Sequence, residues 1–169
     1  MKKILCLLLL CLLFVPFSLI SCAPGSQDYR DDVPVSDLSS SMIRAIGEET
    51  SSFRHPDSDY FDININTEGI GGIETYEICL HTSSGNFSEI GICKVSSDKD
   101  ADEVNKMLQA YVESQHKKLE SFLANYEPEE VEKIQNATVQ TFGHYVIYVF
   151  LTKDGQRAAF DAVKAQLAK

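Results

Sequence analysis

Apolar residues follow three different rhythms along this chain. From Ile4 to Ile20 they run almost unbroken, interrupted only by Pro16 and Ser18. Ala23 to Val35 then reads APGSQDYRDDVPV, with two prolines, a glycine and little to bury, which predicts a flexible tether over residues 22–35. Beyond it the rhythm becomes helical. Leu38, Met42, Ile43 and Ile46 share one side of a turn-repeat, Ser36-Asp37 offers a cap and Gly47 an end. Residues 51–72 are less regular, and within them Asp62-Ile63-Asn64-Ile65-Asn66 alternates as a short strand would.

Two strands follow. Glu74 to His81 alternates with Tyr76, Ile78 and Leu80 on one face, and Phe87 to Val95 carries Ile90 and Ile92. Ser83-Ser84-Gly85-Asn86 between them is turn material, so the pair reads as a hairpin. Ser97 or Asp98 caps the longest helix, up to about Leu123, with Val104, Leu108, Tyr111, Leu119 and Phe122 as its apolar stripe and Gln115 on the same stripe. Pro128 opens a short helix over 129–135. Ala137 to Phe142 and Tyr145 to Leu151 flank Gly143-His144, a tight turn. YVIYVFL is apolar at every position, which predicts a central strand covered on both faces. Asp154 is the expected cap of a final helix with Phe160, Val163 and Leu167 as its buried stripe. The expected fold is a single α+β domain over residues 36–169. A mainly antiparallel sheet of about four strands, in two hairpins, is packed by the long central helix and by terminal helices.

The first rhythm calls for a different reading. Met1-Lys2-Lys3, an apolar run and a small residue form the layout of a signal peptide. The 17 residues from Ile4 to Ile20 sit at the lower bound for a membrane-spanning helix, but Pro16 would kink one and no basic cluster follows. Leu19-Ile20-Ser21-Cys22 resembles the lipobox of bacterial lipoproteins. The resemblance implies a signal peptide over residues 1–21, cleavage between Ser21 and Cys22, and a diacylglycerol on the Cys22 thiol. Two acyl chains hold durably where one holds reversibly, at about 0.8 kcal/mol per buried methylene.

Composition narrows the function classes. Removal of the first 21 of 169 residues leaves 148, enough for one core without metal or disulfide support. The whole chain carries a formal charge of −10, and −12 once Lys2 and Lys3 leave. That charge argues against nucleic acid and against lying flat on anionic lipid. No G-x-G-x-x-G, P-loop, G-x-S-x-G or H-E-x-x-H motif is present, so no cofactor is expected.

The strand Ser88-Glu89-Ile90-Gly91-Ile92-Cys93-Lys94-Val95, the turn Tyr126-Glu127-Pro128-Glu129, the segment Ile134 to Val139 and Gly143-His144-Tyr145-Val146-Ile147 resemble a bacterial lipoprotein family, domain of unknown function 4358. The resemblance spans about residues 74–152. Gln115 fits a glutamine usual in that family's long helix, whereas Cys93 stands where a large apolar residue is usual. It implies a lipoprotein at the outer face of the cytoplasmic membrane and no particular activity.

Candidate sites are few. Cys79 and Cys93 are the thiols left besides Cys22 in the mature chain. With Ile78 and Leu80 set against Ile90 and Ile92, both cysteines fall on the opposite face, and two readings stand open: a disulfide, or a pair of reduced, half-buried thiols. His55-Pro56-Asp57-Ser58-Asp59 offers three hard or borderline metal ligands and with Glu68 imitates the ends of a calcium loop, but Phe61 and Asp62 stand where an oxygen ligand and a glycine are needed, so a solvated loop and no metal site is expected there. Glu127, Glu129, Glu130 and Glu132 suit the positive end of a short helix. His81, His116 and His144 are dispersed. Tyr126 closes the long helix and is a candidate for recognition. The leading expectation is a non-enzymatic, membrane-anchored module that binds a small ligand or an envelope protein. The alternative is an accessory or inhibitor-like subunit of an envelope complex.

Overall fold

The computed structural model describes residues 28–57, 59–65, 67 and 69–169. The lipobox, Ser21 and Cys22 lie outside the described residues. The chain folds as α1 (Val35–Ala45), β1 (Phe53–Arg54), α2 (Asp59–Asn64), β2 (Ile73–His81), β3 (Glu89–Val95), α3 (Asp98–Tyr126), α4 (Val131–Gln135), β4 (Thr138–Phe142), β5 (Tyr145–Phe150) and α5 (Lys153–Leu167), with 3-10 turns at Thr50–Ser52 and Pro128–Glu130. The fold class is α+β, as expected. Its sheet has five strands rather than four, all antiparallel, in the order β1-β2-β3-β5-β4. The additional strand is the two-residue β1, too short to leave a periodic trace in sequence.

Three layers result. α1 and α5 cover one face, where Leu38, Met42, Phe160 and Val163 meet Ile90, Ile92, Ile147 and Val149. α3, α2 and α4 cover the other, where Val104, Leu108, Phe61 and Ile134 meet Ile78, Cys93, Val146 and Phe150. β5 is central, between β3 and β4, and all six of its residues are buried. Its side chains alternate between the two cores, which is why an unbroken apolar run was needed. Burying each of its large side chains contributes about 1.5–3 kcal/mol.

Local chemistry sets the helix ends. The Ser97 hydroxyl accepts from the Asp100 amide and starts α3. Gly47, at φ +81, ends the α1 region, with its N–H donating to the Arg44 carbonyl. Two expected caps are displaced. α1 starts a residue earlier than Ser36, behind Pro34, whose fixed φ suits a helix start. α5 is capped by Thr152, which accepts from the Gly155 amide, and Asp154 lies inside its first turn.

Three further expectations are corrected. Residues 62–65 are not a strand, and Asn66 lies outside the described residues: α2 covers Asp59–Asn64, and Phe61 and Ile65 are buried one turn apart while Ile63 is 77% exposed. Five alternating residues carry too little signal against an i, i+4 pair. The tether does not reach residue 35. Val33 and Val35 are buried, Tyr29 bridges to Ala168, and Arg30 N–H donates to the Leu167 carbonyl. The Tyr145 hydroxyl both accepts from Val33 N–H at 3.0 Å and donates to its carbonyl at 2.7 Å. Phe122 leaves the buried stripe of α3 and is 49% exposed, while Leu123 is fully buried. The 29 residues of α3 rise over about 43 Å, longer than the strands beneath, and its last turns pack on α4 instead.

Candidate functional site

The site begins with a carboxylate at the head of an apolar strand. Glu89 opens β3, and Gly91 follows on the same face. β3 pairs with β5 so that Gly91 lies opposite Tyr148. A β-carbon on Gly91 would sit 1.9 Å from Tyr148 Cε1. Only glycine there lets the ring lie across β3, and the ring then carries its hydroxyl to Glu89. Tyr148 donates to Glu89 Oε1 at 2.5 Å, and Tyr111, from α3, donates to the same oxygen at 3.0 Å. Tyr60, from α2, stands 3.3 Å from the Tyr111 hydroxyl. Edge-to-face packing of Tyr111, Tyr148 and Phe150, with centroids 5.3 to 6.0 Å apart, holds the rings in place.

The arrangement borders a cleft of about 340 Å³. Arg54, Asn64 and His81 line it with Glu89, Tyr60 and Tyr111, and so does Gln115, one turn beyond Tyr111 on α3. Both tyrosine donors converge on Oε1. Among the described residues, Glu89 Oε2 and the Gln115 amide have no hydrogen-bond partner. Burial pushes the Glu89 carboxyl above its ordinary range, against the opposing pull of the two hydroxyls. Burial and then the neighbouring Glu89 push Tyr111 and Tyr148 well above theirs, so both stay neutral donors. The cleft therefore presents a carboxyl, neutral phenols, and a free amide able to donate and accept.

The residues singled out from sequence are not gathered here. Cys79 and Cys93 are both buried free thiols, on opposite faces of the sheet. The register pairs Ile78 with Gly91 and Cys79 with Ile90, one residue away from the expected alignment, so no disulfide joins them. Burial pushes each thiol up to about 12. Gln115 is half-buried as its stripe position suggested, but it lines the cleft rather than the core. Tyr126 is 72% exposed and lies with its ring 4.9 Å from that of Phe122. Within the acidic group, Glu130 ties the hairpin loop to α4, accepting from Phe87 N–H at 2.7 Å and from Lys133 at 2.8 Å. His144 stands 3.5 Å from Asp98, away from the cleft. Glu89 and its tyrosines escaped sequence reasoning. The available signal was a Glu-x-Gly at the start of an apolar strand, with a tyrosine inside another.

Among the described residues no helix is long and apolar enough to cross a membrane. Residues 71–151 match a family described as a domain of unknown function (DUF4358). No curated protein and no solved structure matches the chain. The matched span holds Glu89, Gly91, Tyr111, Gln115 and Tyr148, and leaves Tyr60 outside.

Proposed function

We propose, for a chain that carries the domain of unknown function 4358 over residues 71–151, that it is a lipid-anchored, extracytoplasmic binding module whose cleft beside Glu89 receives a small polar ligand. The carrying observation is the cleft itself. A carboxyl oxygen, phenolic hydroxyls and an unpaired glutamine amide converge on a concavity of ligand size, which is the usual make-up of a specific pocket. A ligand offering both a donor and an acceptor, such as an amide or a vicinal diol, would satisfy Glu89 Oε2 and Gln115 together. The reading is of a non-enzymatic module, because the cleft's groups suit holding rather than attack. Thermal-shift screening of amino acids, short peptides and sugars tests it. The expected result is a ligand that stabilises the native protein and is lost in Gln115→Ala. No stabilising compound, or equal stabilisation of Gln115→Ala, would remove the cleft as its site.

The anchorage rests on the lipobox-like Leu19-Ile20-Ser21-Cys22. Metabolic labelling with a fatty acid is expected to mark the native chain and to leave Cys22→Ala unmarked. Labelling of both would refute it.

A second reading, an accessory subunit of an envelope complex, is favoured by the exposed Phe122–Tyr126 pair. Paired aromatics open to solvent at a helix end are common anchors for protein partners. Cross-linking in intact cells would support it if a membrane protein were captured by the native chain and not by Phe122→Ala/Tyr126→Ala.

A further inference from the structure

A different corner of the molecule, on the other face of the sheet, brings together three unlike donors. β1 pairs with β2 through Phe53–His81 and Arg54–Leu80. Continuing that register by one residue sets His55 opposite Cys79, and Glu77 lies two residues along β2 on the same face. The side chains converge as this predicts. His55 Nδ1 is 3.3 Å from Glu77 Oε1, and Cys79 Sγ is 3.9 Å from both atoms. Histidine and glutamate alone would be an ordinary ion pair. The third donor, a sulfur equidistant from the other two, is what an ion pair does not need.

The triangle fits a metal ion. Bonds of about 2.0 Å from nitrogen and oxygen and about 2.3 Å from sulfur, at tetrahedral angles, place N and O about 3.3 Å apart and S about 3.5 Å from each. The first edge is already met, and the other two need a contraction of about 0.4 Å. His55, whose side chain is 64% exposed, can close its own edge to the sulfur, while the Glu77–Cys79 edge has to close by rotation of those two side chains, of which Glu77 is 14% exposed and Cys79 fully buried. The donors also differ in setting: Glu77 and Cys79 stand on a strand, and His55 stands in the loop beyond β1, which gives an ion a way in. Ser36 and Asp57 line the same opening as His55 and Glu77.

We propose that His55, Glu77 and Cys79 form a three-ligand site for zinc, open at its fourth position. Nitrogen, carboxylate oxygen and thiolate together suit this borderline ion better than magnesium or calcium, which take oxygen. On binding, the Cys79 S–H bond breaks, the thiolate forms the Zn–S bond, and the proton leaves to solvent. The site would tie the free end of the two-residue β1 to the sheet edge. It is independent of the cleft beside Glu89, so either can fail alone.

The test uses the full-length protein in detergent, with zinc and cobalt(II) as probes. Equilibrium dialysis is expected to give one zinc per chain. Cobalt is expected to show the thiolate-to-metal charge-transfer absorption and the intense visible bands of a tetrahedral site. Cys79→Ser should lose the charge-transfer absorption and Cys93→Ser should keep it. His55→Ala, at an exposed position that leaves the core intact, should bind zinc at least about 10-fold more weakly, since even disturbing the groups around a site's ligands costs that much. Absence of the charge-transfer absorption in the native protein, or unchanged zinc affinity in His55→Ala, would overturn the proposal and mark any bound metal as adventitious.

Discussion

Tyr145 and Tyr148 stand three residues apart on β5, both fully buried, and the sheet sends them to opposite faces with opposite uses. Tyr145 enters the face under α1 and α5 and gives its hydroxyl to backbone alone, closing both hydrogen bonds on Val33. Tyr148 enters the face under α3 and gives its hydroxyl to a carboxylate at the edge of a cleft. The first arrangement is complete and holds a chain segment in place. The second is incomplete, since Glu89 keeps an oxygen for something else. A buried phenol becomes part of a site when what it bonds still has capacity left, not because it is polar.

Variants sharpen this contrast. The largest effect is expected from Gly91→Ala. The added methyl would overlap the Tyr148 ring, which Tyr111 and Phe150 confine, so the cost should reach about 3 kcal/mol. Urea unfolding measures it, and a loss below about 0.5 kcal/mol, on the order of a neutral surface change, would mean the ring has room to move. Tyr145→Phe should come next, at about 2 kcal/mol, because it strands the Val33 N–H and carbonyl inside the core. Tyr148→Phe should cost less, about 1 kcal/mol, because Glu89 keeps Tyr111 and can take up water from the cleft. Finding the two phenylalanine variants in the reverse order would break the comparison.

The smallest effect, visible only against pH, belongs to Glu89→Gln. The folded carboxyl titrates above the unfolded value near 4.5. The native state therefore binds the proton more tightly than the unfolded chain does. Its contribution to stability is complete below about pH 4.5 and declines as pH rises through the folded value. Glu89→Gln has no proton to lose. Its stability should match the native protein at acid pH and exceed it progressively as pH rises above about 4.5, until the folded carboxyl has ionised. Parallel curves for the two proteins across that range would show that burial does not govern this carboxyl.

Much of the architecture was legible without coordinates. Helical spacing in Val104, Leu108 and Tyr111, the Ser97 cap, the Gly47 stop and the all-apolar β5 each follow from interactions within a few residues, and local periodicity reports those directly. The candidate cleft was only partly legible. Gln115 stood out by its place on an apolar stripe, while Glu89, Tyr111 and Tyr148 looked like a strand opening and two core aromatics.

What tertiary structure alone decided is the register and everything that depends on it. In a sheet covered on one face, alternation names the buried side and so fixes which residues meet. Here helices cover both faces, and Ile90, Gly91, Ile92 and Cys93 are all buried. Either alignment of the hairpin hides hydrocarbon, so alternation cannot choose between them. The alignment that forms separates Cys79 from Cys93, sets Gly91 under Tyr148, and leaves Cys79 facing His55 and Glu77. The amino acids determined which elements form and which strand is innermost, because short-range spacing carries that information. Packing across the sheet determined which side chains meet, because that depends on contacts between segments far apart in the chain.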